Sequence, residues 1–175
     1  MTYRERFFIV KNSNCYVDAR LYEIYSEPEI GYVINSTYGM FWMEMQARGY
    51  GGGGGPVDVK VYEVKNMLVV NISLLSDFQV SKLKNSFDMI KDREIFPIFE
   101  ELGFPKCNQR NCKHPEHPYE YVKPEEVSFD RIMPDRRELD KIVFEALGLT
   151  EEEQLEVYRA VLELVKNRLL KAKSK

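Results

Sequence analysis

Gly51 to Gly55 are five consecutive glycines, closed by Pro56. No helix or strand runs through such a stretch cheaply, because glycine loses more backbone freedom on ordering than any other residue. The chain must therefore organise on either side of it. The run is either a connection with no ligand or a loop whose backbone has to come close to something. Val57, Val59 and Val61 alternate after Pro56 and predict a strand. The glycines thus do not open a helix and lack the helix N-terminus that binds phosphate in dinucleotide folds. Neither Gly-Lys-Ser nor Gly-Lys-Thr follows, which excludes a P-loop.

Before the glycines, Arg6 to Val10 reads as a strand and Lys11-Asn12-Ser13-Asn14 as a turn. Cys15-Tyr16-Val17 and Leu21 to Tyr25 then return in extended form, with Cys15 a buried strand residue. Pro28 opens a helix to about Gln46, with Ile30, Val33, Ile34, Tyr38, Phe41, Trp42 and Met45 at helical spacing. Gly39 inside it suits close packing or a kink. After the glycines, Met67 to Leu75 reads as a second apolar strand. Ser76-Asp77 is an N-cap signal for a helix from Phe78 to Ile90. A shorter helix over Arg93–Leu102 is stopped by Gly103 and Pro105. Lys106 to Pro124 reads as an irregular loop.

The C-terminal pattern is sharper. Pro134-Asp135 starts a helix carrying Leu139, Ile142, Val143 and Leu147, and Gly148 ends it. Thr150 with Glu153 forms a capping box, and the helix it opens runs to about Lys171. Leu155, Tyr158, Leu162, Val165 and Leu169 make one apolar seam on that helix. The seam reads as core packing against the Leu139–Leu147 helix; docking onto a partner helix is the other reading. Together these elements predict an α+β fold. It would hold a small, mixed, twisted sheet with flanking helices over residues 1–130, and a C-terminal helical pair over 131–175.

Hydrophobic residues make up 44% of the 175-residue chain, enough for an ordinary core and against disorder. No run approaches the ~20 apolar residues of a membrane span, and Met1 to Lys11 holds no apolar stretch of signal-peptide length. Three cysteines without such a signal argue against a disulfide framework and for the cytoplasm. The formal charge of −3 is low for a free-standing nucleic-acid binder, so any DNA contact is local or assisted by a basic partner.

Asn35-Ser36-Thr37 running into Phe41-Trp42, then Arg48-Gly49, the glycine run and Val57-Asp58-Val59-Lys60, resembles the target recognition domains of adenine-specific DNA methyltransferases. These include fused type II restriction-modification proteins and are related to type I specificity subunits. Pro134 to Asp140, Phe144 to Thr150 and Glu156 to Val161 resemble the end of such proteins. The resemblance implies recognition of a DNA duplex on behalf of a methyltransferase catalytic domain. Such a catalytic domain needs an Asn/Asp-Pro-Pro-aromatic tetrad for the flipped base, and this chain has no Pro-Pro pair. The expectation is a non-enzymatic chain that requires no cofactor and borrows its chemistry from another domain. Lys11, Arg20, Arg48, Tyr50 and Lys60 are the candidate DNA contacts. Arg136 and Arg137 read as surface charges.

Cys107, Cys112, His114 and His117 bring both histidines and two of the three cysteines into one short loop. Sulfur and imidazole are zinc ligands, and a structural zinc would staple a Pro-rich segment. The Cys-x4-Cys-x-His-x2-His spacing is not a common zinc pattern, and a plain surface loop with two ordinary cysteines is the leading reading. Asp58-Val59-Lys60 also matches half of a nuclease motif, with Glu29 as the distant acid; strand alternation explains the same tripeptide as a solvent-facing pair.

Overall fold

The computed structural model describes residues 2–3, 5–19, 21–46, 48–49, 56–105 and 121–173. Its elements are β1 (Thr2–Tyr3), α1 (Pro28–Ile34), α2 (Thr37–Gln46), β2 (Arg48–Gly49), β3 (Val57–Asp58), α3 (Val61–Lys65), a 3-10 turn (Ile72–Leu74), α4 (Asp77–Ile90), α5 (Ile98–Glu101), a second 3-10 turn (Pro124–Glu126), α6 (Pro134–Ala146) and α7 (Glu151–Lys173). The fold is mostly helical, which overturns the α+β expectation. Strand pairing among the described residues is confined to two-residue strands in the order β1-β3-β2, both pairs antiparallel. Strands that short do not make a twisted sheet.

The expected strands fail because helices take their place as partners. Along residues 5–10 the side chains do alternate, with Phe7 buried and Arg6, Phe8 and Val10 exposed. The inward side chains meet helices rather than a second strand. Asn35 stands in for the missing ladder: its Oδ1 accepts from Ile9 N at 2.8 Å and its Nδ2 donates to Ile9 O at 2.9 Å. Ile98 N donates to Glu5 O at 2.8 Å. Residues 67–75 coil into a 3-10 turn whose Asn71 side chain accepts from Ser73 N at 3.1 Å. Only Val70 of that apolar run is buried, and Leu68 and Leu74 are exposed. Cys15, placed in a strand by sequence, is exposed instead.

The helix expected over Pro28–Gln46 is two helices. Ser36 breaks it by bonding backward, its Oγ donating to Val33 O at 2.6 Å. The same oxygen accepts from Gly39 N at 3.4 Å and so caps α2. Gly39 is there because α2 turns directly over α1: a Cβ on it would lie 2.0 Å from Ile34 O. Gly103 answers a different need, a φ of +90° just past α5, where Phe104 N reaches back to Phe99 O at 2.7 Å.

Two buried apolar clusters fill the interior. The larger joins Phe7, Ile34, Met40, Met43, Phe99, Phe144 and the inner face of α7; the smaller joins Val33, Leu83, Ile90, Leu139 and Val143. Tyr158, Leu162, Val165 and Leu169 are fully buried, so the α7 seam faces inward. It packs chiefly on α2, with α6 packing on α4; α6 meets the seam mainly through Phe144, edge-on to Tyr158. Arg168 clamps α7 to α2 through Glu44, at 2.7 Å. No helix among the described residues is long and apolar enough to cross a membrane.

Candidate nucleic-acid interface

The corner made by β2, β3 and α3 gathers two of the sequence-predicted contacts. Arg48 lies opposite Asp58 in the strand pairing. Lys60 follows two residues later as the N-cap of α3, and its ammonium bonds the Asp58 carboxylate. That hydrogen bond holds the Asp58 carboxyl below its ordinary range and the Lys60 ammonium above its own; the Tyr22 phenol and Glu63 add to the second effect. Glu63, in the first turn of α3, is buried and accepts from Lys60 N at 2.7 Å. Its other oxygen lies 3.5 Å from Arg48 Nε. The Arg48 guanidinium stands 5.8 Å from the centre of the Tyr62 ring, within cation–π reach. Among the described residues the corner thus brings two cations together with two carboxylates, and Arg48 and Lys60 keep exposed donors.

Lys11 is exposed on the extended N-terminal segment. Arg20 and Tyr50 lie outside the described residues, as do Cys107, Cys112, His114 and His117. Among the described residues no group of three His, Cys, Asp or Glu side chains converges as a metal site would. Glu29, the distant acid of the nuclease reading, sits in the first turn of α1.

A second constellation was missed by sequence reasoning. Arg136, expected on the surface, is 4% exposed. Its Nε donates to Glu101 Oε2 at 2.6 Å and its Nη1 to the Asn35 carbonyl. Glu101 Oε1 also accepts from Arg93 at 3.0 Å and from Phe96 N at 3.1 Å, and Arg93 bonds Asp135 as well. Burial works against the charge of both arginines, and the carboxylates around them outweigh it, so both guanidiniums hold their protons more tightly than usual. One turn beyond Arg136, Asp140 accepts from Thr37 N at 2.7 Å and from Thr37 Oγ1 at 2.6 Å. Asp140 therefore caps the start of α2 from another helix. Burial pushes its carboxyl up, and Arg136 and Thr37 pull the other way. Tyr158 lies alongside; burial and the Asp140 charge push its phenol up. The cavity here is about 10 Å³, room for roughly one water. The signal in the sequence was Arg136-x3-Asp140: one turn apart, on the stripe continued by Val143 and Phe144.

The network joins Asn35–Thr37 to Pro134–Asp140. Compared with known proteins, the chain matches no family model, no curated protein and no solved structure.

Proposed function

We propose that this chain is a non-catalytic DNA target-recognition domain, directing a separate adenine methyltransferase domain to its site. The observation that supports the reading is the convergence just described. Two segments about a hundred residues apart, each resembling such domains, interlock through buried bonds into one scaffold. That scaffold leaves the β2–β3 corner, with Arg48 and Lys60, at the surface. In this reading the corner contacts the duplex, and the partner domain flips and methylates the adenine. The alternative of docking through the α7 seam loses its basis, because the seam is buried inside the fold.

A random-duplex pool tests it, with the chain alone and with an adenine methyltransferase domain added, at low and moderate salt. Expected is salt-sensitive binding with an enriched consensus, the slope counting the phosphates contacted. No binding in either setting at low salt removes the DNA reading.

A further inference from the structure

We propose that Arg48 is a base-reading residue, its guanidinium donating to O6 and N7 of a guanine in the major groove. The inference rests on the DNA reading above and assigns the corner its chemical target. A phosphate contact asks only for a flexible positive charge. Reading a base edge asks for a planar donor pair held in one orientation. Arg48 is held twice. Tyr62 lies under the guanidinium, and the Glu63 carboxylate faces Nε at 3.5 Å. Glu63 cannot swing away, because it is buried and its second oxygen is bonded by the Lys60 amide at 2.7 Å. With Nε on that side, the edge formed by the two Nη groups meets no partner among the described residues, and the side chain is 72% exposed. That edge has the two-donor geometry that matches guanine.

The test is consensus selection from a random-duplex pool with the full chain and its Arg48→Lys and Tyr62→Leu variants. Arg48→Lys keeps the charge and loses the planar pair; Tyr62→Leu keeps Arg48 and removes its platform. Both sites are exposed, and a thermal unfolding curve checks each fold. Expected is a wild-type consensus with a fixed G·C pair. Both variants then lose about tenfold or more of the preference at that one position, with binding to unrelated duplex and the salt slope unchanged. If Arg48→Lys selects the wild-type consensus, the proposal is overturned while the DNA reading stands. A Tyr62→Leu loss spread evenly over all sequences would likewise overturn it and mark a phosphate contact. Wild-type protein that binds no duplex at low salt, alone or with the methyltransferase domain added, overturns both.

Discussion

Asp140 has no exposed surface yet holds a carboxyl at the centre of the fold. Burial raises its proton affinity above the ordinary value of 3.8. The folded chain therefore binds this proton more tightly than the unfolded chain. The stability so gained is in full below the unfolded value and is lost as pH rises through the folded one. Asp140→Asn keeps an acceptor for the Thr37 amide and has no charge to bury. Its stability relative to wild type, read by urea denaturation, should rise as pH is raised from 3.8 toward neutrality, because only the wild type then has a charge to bury. A constant difference across that range would contradict the assignment. The sequence showed Arg136 and Asp140 as charges on a helix and could not show them buried. Their partners, Glu101 and Thr37, lie 35 and 103 residues away, and no local pattern encodes such a pairing. Arg48 and Lys60 were legible as candidates through the motif around them. Glu63, which fixes both, was not, because a glutamate early in a short helix looks like any other.

At the scale of elements, what was legible followed the caps. Ser76 and Gln79 close a reciprocal pair at the start of α4, and Thr150 and Glu153 do so at α7. Those helices, with α6, begin within a residue or so of where the sequence places them. The N-terminal half was misread because apolar alternation marks a surface to be buried and not what buries it. Residues 5–10 alternate as a strand does and lie against helices. The α1–α2 break was hidden for a related reason: Gly39 looked like a kink inside one helix, and the turn is made by Ser36. Gly39→Ala would push Ile34 off its seat and should cost about 1–3 kcal/mol or more, as overpacking does. Gly31→Ala, where an added Cβ meets nothing within 4 Å, should instead stabilise α1 by about 0.5–1 kcal/mol. Chemical denaturation of the pair reads both signs, and equal effects would refute the close approach.

Across the whole molecule, order is unevenly distributed. The helices share buried clusters, whereas nearly all described residues from 10 to 27 are exposed. Tyr16 and Tyr25 stand almost wholly in solvent. Segments with so little buried area open at low free energy. Brief chymotrypsin treatment should therefore cut at Tyr16 or Tyr25 before any aromatic site within α4, α6 or α7, with the fragments identified by mass. Earlier cleavage inside those helices would show that the division is drawn wrongly.

The cap that Asp140 places on α2 also has a consequence for synthesis. A ribosome releases Thr37 long before Asp140, and Glu44 longer still before Arg168. Until then α2 has an open N-terminal amide and an unmatched carboxylate beside an apolar face. The nascent chain carries these unfinished until α6 and α7 have been made, so the completion of α2 comes late. A pause or truncation anywhere in that interval leaves α1 and α2 as candidates for chaperone capture rather than as a folded intermediate.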